Sequence, residues 1–272
     1  MRILFLGDVM GRSGREAVYQ HLPDLRERLA LDFVIVNAEN AAHGFGLTER
    51  ICNELFQAGA DAITGGNHTW DRTEIIPVLE QERRLLRPLN LPRGTPGRGT
   101  AVFALPDGRR IKVVNLMCRL FMELLDCPFQ ALDAELPPGP PRGNGFAAIV
   151  VDVHGEATSE KMALAHIADG RASLVVGTHT HVPTADAHVM SKGTAYQTDA
   201  GMCGDYDSVI GMQKEAPINR FLRKMPTERM LPAEGEGTLC GTFVETVDTT
   251  GLAARVEPVR LGGILSPALP NR

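Results

Sequence analysis

Short apolar, β-branched runs alternate with apolar positions at helical spacing along the first part of the chain. Ile3 to Leu6 predicts a strand. Val18, Leu22, Leu25 and Leu29 then recur at the helix period. Ser13 and Glu16 just before them have the pattern of a capping box. Phe33 to Val36 predicts a second strand. Thr48 is placed to cap a helix carrying Ile51, Leu55 and Ala58, and Asp61 to Thr64 predicts a third strand. This β-α-β-α-β order implies a parallel sheet. After a Pro- and Gly-rich loop over Arg87 to Thr100, Ala101 to Leu105 and Ile111 to Leu116 flank Asp107-Gly108, a hairpin signal. Pro137 to Pro141 reads as a surface connection, because proline lacks the N–H that a helix or central strand requires. Ala147 to Val153 predicts a strongly apolar strand, Thr158 to Asp169 a helix, and Ser173 to Val176 another strand. Thr238 to Val247 and Ala253 to Val256 predict a closing hairpin or sheet edge. Pro258 should end the second of these or confine it to an edge.

Composition agrees with a folded α/β protein. Of 272 residues, 43% are hydrophobic and 22% charged, which excludes disorder for most of the chain, and the length suits one domain over residues 1–272. The net charge of −5 argues against a broad nucleic-acid-binding surface. Phosphate chemistry on such a surface calls for a local positive centre, which a bound metal ion supplies. No apolar run approaches the ~18 residues of a transmembrane helix, and Asp8 interrupts the first run too early for a signal peptide. Cys52, Cys118, Cys127, Cys203 and Cys240 are odd in number, far apart and without a Cys-x-x-Cys pair. They predict free thiols in a reducing cytoplasm. The apolar content is compatible with assembly into a homo-oligomer.

The informative feature is where the polar residues fall. Asp8 follows the first strand, Glu39 and Asn40 the second, and Asn67 and His68 the third. His154 follows the strand ending at Val153, and His179 and His181 follow the strand ending at Val176. In an α/β sheet the carboxyl ends of the strands face one crevice, so these side chains can converge. Two carboxylates, two amides and three imidazoles exceed what one tetrahedral zinc needs. They suit two ions of intermediate hardness, Fe, Mn or Zn, sharing a bridging carboxylate. Two such ions ~3.5–4 Å apart form a clamp for phosphoryl transfer. His68, at the rim beside Asn67, is the candidate proton donor to a leaving alkoxide.

Gly7-Asp8, Gly66-Asn67-His68, Val153-His154-Gly155 and Gly177-Thr178-His179-Thr180-His181 resemble the ordered motifs of the calcineurin-like metallophosphoesterases. With Asn37-Ala38-Glu39-Asn40 and Gly7-Asp8-Val9-Met10-Gly11, the set resembles their YmdB-like bacterial branch, described as 2′,3′-cyclic nucleotide phosphodiesterases. The similarity runs from Arg2 to about Val256. It implies a four-layer αββα sandwich with mixed sheets. It also implies Asp8, Glu39, Asn40 and His181 on one metal, and Glu39, Asn67, His154 and His179 on the other. The reaction it points to is in-line attack on phosphorus by a metal-activated hydroxide, with His68 protonating the departing ribose oxygen; Asp71 is read, apart from the resemblance, as the residue that orients His68. Two departures from the wider superfamily stand out. Met10 occupies the position of a histidine ligand, and Glu39 that of a bridging aspartate. An oxygen-richer first site leaves metal identity open between Fe and Mn, with Zn the alternative.

Two other readings stay open. One is a regulatory protein that keeps the metal site but acts by binding RNA or a protein partner. The other is a phosphomonoesterase or nuclease on the same site. Taken singly, each residue also has a bland reading: Asp8 as a helix cap, His179 and His181 as edge residues, Trp70 as packing rather than base stacking. Arg12 and Arg15 read as solvated charge rather than phosphate contacts, and His21 and His166 as helical residues. His43, in a glycine-rich loop near the expected site, is carried as a substrate-contact candidate beside its reading as a loop residue. Met202 to Gln213 reads as an ordinary surface loop, with Asp205, Tyr206 and Asp207 the residues that would meet substrate otherwise. No Gly-x-x-x-x-Gly-Lys, His-Glu-x-x-His or Gly-x-Ser-x-Gly occurs, which argues against a P-loop enzyme, a zincin or a serine hydrolase.

Overall fold

In the computed structural model, which describes residues 1–225 and 228–271, the apolar runs build two sheets. β1 (Arg2–Leu6), β2 (Phe33–Asn37) and β3 (Ala62–Thr64) are parallel neighbours, joined by α1 (Gly11–Arg28) and α2 (Glu49–Ala58). α3 (Ile75–Gln81) leads to the second sheet. There β4 (Thr100–Ala104) pairs antiparallel with β5 (Arg110–Met117) through the Asp107-Gly108 turn, Gly108 taking φ 84°. β5, β6 (Ala148–His154), β7 (Leu174–Thr178) and β9 (Ala195–Gln197) run parallel, with α4 (Pro128–Glu135) and α5 (Thr158–Ala168) on their outer face. β8 (His188–Val189) is a short edge strand. α6 (Glu215–Arg223) precedes the hairpin of β10 (Leu239–Thr246) and β11 (Ala253–Leu261), which lies antiparallel against β1. The strand orders are β11-β10-β1-β2-β3 and β4-β5-β6-β7-β9-β8.

The period-two alternation of strand side chains stacks these sheets. Ile3, Phe5, Phe33 and Ile35 from one sheet meet Val113, Val150 and Val176 from the other. Their neighbours Leu4, Leu6, Val34 and Val36 turn outward onto Val18, Leu22, Ile51 and Leu55 of α1 and α2. Val114, Val151 and Val175 turn outward onto Leu132, Leu164 and Ala165 of α4 and α5. The result is helix, sheet, sheet, helix. Strands buried on both faces explain the continuous apolar runs.

Three local expectations change. Ser13 and Glu16 form no capping box: α1 begins at Gly11, Ser13 donates to Gly235 O at 2.7 Å, and Glu16 pairs with Arg12. Ser13 thus lies within the first turn of α1 and not at its cap, and its hydroxyl is turned to a tertiary acceptor. Thr48 does cap α2, its hydroxyl accepting from Ile51 N. β11 runs past Val256 through Pro258 to Leu261, and of the two expectations for Pro258 the edge placement holds: on an edge strand the missing N–H costs no ladder bond. Met202 to Gln213 is no ordinary surface loop. Met202 to Asp205 are buried, and Cys203 bridges Val9 in parallel, extending the sheet past β1. No helix among the described residues is long and apolar enough to cross a membrane.

Candidate metal centre

The seven predicted donors project from the carboxyl ends of β1, β2, β3, β6 and β7, and one set meets at a single atom. Nε2 of His154 lies 2.9 Å from Asn67 Oδ1, 3.1 Å from Glu39 Oε1 and 3.1 Å from His179 Nδ1. One ring nitrogen can donate to at most one of three acceptors. A cation at their common centre satisfies all of them. Among the described residues, Glu39, His154 and His179 form a grouping whose ligand atoms all lie within 4.8 Å of one another.

The tautomer of His154 fits this use. Thr178 Oγ1 donates its proton to Asp152 Oδ1 at 2.7 Å, so it accepts from His154 Nδ1–H at 2.9 Å. Nε2 is thereby turned to the cluster. Without a cation, burial opposes a charge there, but Glu39 and Asp8 outweigh it and hold His154 protonated, up to about 9; a bound metal would take the place of that proton. Asp152 is fully buried, and its other oxygen accepts from Thr64 Oγ1 at 2.6 Å and Asn37 Nδ2 at 3.0 Å. Burial pushes its carboxyl up to about 6. The signal for this network was present in the sequence: a carboxylate inside an apolar strand needs buried partners.

The other donors lie beside this point. Asp8 is fully buried, and Oδ2 accepts from His179 N at 3.1 Å. Its Oδ1 has no hydrogen-bond partner. Asn40 donates through Nδ2 to Gly44 O at 3.0 Å, while its Oδ1 is buried without a partner. An orphaned buried acceptor costs about 1–3 kcal/mol, so two here match a cation-binding role. His181 donates from Nδ1 to Ile210 O at 2.7 Å, which leaves Nε2 as its free donor atom. Burial raises the Asp8 carboxyl, while His181 and His154 pull it back. Glu39 is held below the usual carboxylate range: burial opposes ionisation, but His154 and the His68 amide outweigh it. Burial and the charge of His154 draw His179 down to about 3, so its ring is neutral near pH 7. Gly66 is obligatory, since a Cβ there would lie 2.2 Å from Glu39 Oε2 and 2.4 Å from His154 Nε2.

His179 and His181 adopt φ of 97° and 66°, a conformation unfavourable for non-glycine residues. A buried ion pair holds this turn. Lys161 Nζ donates to Thr178 O at 2.7 Å and to Asp199 Oδ2 at 2.9 Å, and that oxygen also accepts from Thr180 N and Oγ1. Both side chains are fully buried. Lys161→Met should therefore lower the unfolding free energy of metal-free protein by about 3–5 kcal/mol, the cost of stranding one buried charge. Denaturant melts measure it. A loss below about 1 kcal/mol would mean that Asp199 is not left uncompensated.

His68 stands at the rim of a cavity of about 550 Å³ that also meets Glu39, Asn40, His179 and His181. Its Nδ1 is 2.8 Å from Asp71 Oδ2, and Phe45 packs edge-on against its ring at 5.0 Å. Met10, in place of a ligand, packs with Met202 and Met212. His43 is exposed in a separate hollow with Thr48 and Glu49 and does not line this cavity. Trp70 packs against the helix-side core. Arg12 pairs with Glu16, and Arg15 donates to Ala41 O. Asp205 binds the amides of Asp207 and Gly235, Asp207 pairs with Lys214, and the Tyr206 hydroxyl donates to His181 O. These three brace the loop, and none of them lines this cavity. Missed from the sequence were Asp152 with Thr178, Glu156 at 3.4 Å from His179 Nε2, and the apolar wall from Val209 to Phe221.

Two face-to-face mixed sheets with helices outside and this donor cluster at the strand ends define a metallophosphoesterase fold. A family model described as YmdB-like protein matches residues 4–259. The chain belongs to the YmdB-like family. A 2′,3′-cyclic-nucleotide 2′-phosphodiesterase of Bacillus subtilis (strain 168) is 48% identical over 259 residues, 95% of this chain and 96% of that protein. A crystal structure of a hypothetical protein from Thermus thermophilus superposes with a TM-score of 0.89 at 46% identity, covering 97% of this chain and all of the other. A novel phosphatase from Mycoplasma pneumoniae gives a TM-score of 0.88 at 35% identity, covering 96% and 93%.

Proposed function

We propose that this protein is a dinuclear-metal phosphodiesterase that hydrolyses small phosphodiesters, 2′,3′-cyclic nucleotides foremost. The observation that carries the reading is the convergence of Glu39, Asn67 and His179 on His154 Nε2, with orphaned oxygens of Asp8 and Asn40 alongside. The Bacillus subtilis relative, named for that reaction, supports the substrate. Asp8, Glu39, Asn40 and His181 would hold one ion, and Glu39, Asn67, His154 and His179 the other. Fe or Mn suits the oxygen-richer first set, with Zn the alternative. When bound, the ions supply Lewis acidity toward the phosphoryl group and a source of hydroxide at neutral pH. The residues do the rest. Asp152 and Thr178 orient His154, and the Lys161–Asp199 pair sets the spacing of His179 and His181. Asp71 engages Nδ1 of His68, so that Nε2 delivers the proton to the departing ribose oxygen. The five cysteines are free, which supports a cytoplasmic setting.

The test is metal content on protein purified without chelator, paired with hydrolysis of 2′,3′-cyclic AMP and bis-p-nitrophenyl phosphate. About two ions per chain with diesterase activity is the expected result. Two ions without turnover would favour the regulatory reading. No metal after reconstitution with Mn or Fe would overturn the site.

A further inference from the structure

The cavity beside His68 has two chemically different walls. One carries Glu39, His68, His179 and His181; the other carries Ile210, Met212, Pro217 and Phe221, from α6 and the loop before it. The apolar wall is open to solvent, with Phe221 78% and Ile210 55% exposed. Contiguous exposed apolar side chains at the edge of a polar site mark a ligand surface. The wall is tied to the donor cluster, because Ile210 takes φ 48° and its carbonyl accepts from His181 Nδ1 at 2.7 Å. Among the described residues, Arg220 is the one Lys or Arg side chain lining this cavity. A protein of net charge −5 thus offers an anion a single cation there.

A nucleotide matches this division. Its phosphate suits the donor cluster, its charge suits Arg220, and its flat, largely apolar base needs a surface such as Phe221. We propose that the Ile210–Phe221 wall is the nucleobase subsite of the enzyme, with the base stacked on Phe221 and Arg220 drawing the phosphate in. The proposal rests on the phosphodiesterase reading above and adds to it what the enzyme holds besides the phosphodiester. Stacking tolerates any base, so the subsite selects for nucleotides over other cyclic phosphates without strong preference among bases.

The experiment uses metal-loaded full chain and two readouts. The first is fluorescence titration with 1,N6-ethenoadenosine 3′-monophosphate. The second is KM for 2′,3′-cyclic AMP against methyl riboside 2′,3′-cyclic phosphate, which lacks the base. Phe221→Ala should weaken the fluorescent nucleotide about tenfold, and Phe221→Trp should restore it. The same Ala variant should raise KM for 2′,3′-cyclic AMP about tenfold relative to its effect on the base-less diester. Phe221 is exposed, so loss of fold does not confound the result. Equal effects on both diesters, or unchanged binding of the fluorescent nucleotide, would overturn the subsite while the phosphodiesterase reading stands. A change in self-association without change in nucleotide binding would assign the wall to a second copy of the chain and also overturn it. Hydrolysis of neither diester by the wild type would remove the underlying reading and the subsite together.

Discussion

Glu39→Ala is expected to empty both metal positions and to lower diester hydrolysis by more than about 10³-fold, the scale on which losing a central electrostatic group acts. Glu39 is the residue shared by the two proposed ligand sets. Oε1 sits 3.1 Å from His154 Nε2, and Oε2 accepts from the His68 amide at 3.1 Å. Alanine therefore removes one ligand from each ion, the negative charge that both share, and the acceptor that seats the His68 backbone. Glu39→Gln separates these effects: it keeps the volume and an oxygen but loses the charge. Metal analysis of both variants is the check. If Glu39→Ala retained about two ions per chain, the bridging assignment would be falsified.

His68→Ala should behave in the opposite way. Metal content should stay at the wild-type level, because His68 binds Asp71 and Phe45 and none of the proposed ligand atoms through its ring. Turnover of 2′,3′-cyclic AMP should fall by about 10²–10⁴, the range of a lost general acid. The leaving group gives a sharper comparison. A ribose alkoxide needs a proton, whereas p-nitrophenolate leaves unaided. Hydrolysis of bis-p-nitrophenyl phosphate should thus suffer far less than that of the cyclic nucleotide. Asp71→Asn should fall between the two, since it misorients the ring without removing it. Equal losses on both substrates would assign His68 to positioning instead of proton transfer.

Much of this architecture was legible because strands and crossover helices leave local marks. The runs at Ile3, Phe33 and Asp61 became β1, β2 and β3, and Asp107-Gly108 became the turn between β4 and β5. The placement of polar residues after those strands was legible for the same reason, since a parallel sheet carries its crevice at the carboxyl ends. The short strands late in the chain were not. β8 and β9 have two and three residues and, unlike the three-residue β3, no alternation with helical patterns to mark them. The capping box failed because α1 starts at Gly11, which puts Ser13 inside the helix, where its hydroxyl donates to Gly235 O, 222 residues away. The Met202–Gln213 loop looked like surface because its burial comes from Met10 and β1, which nothing within the loop announces.

By itself, then, the sequence determined the α/β order, the identity of the candidate donors and their positions after five strands. These follow from period and spacing, which are local properties of the chain. Only the tertiary structure decided which donor atoms meet, which ring nitrogen of His154 and of His181 is free, and that Lys161 and Asp199 brace the turn between two histidines. It alone set an apolar wall opposite His68. Hydrogen-bond partners far apart in sequence settle these matters, and their distances exist only once two sheets have packed face to face.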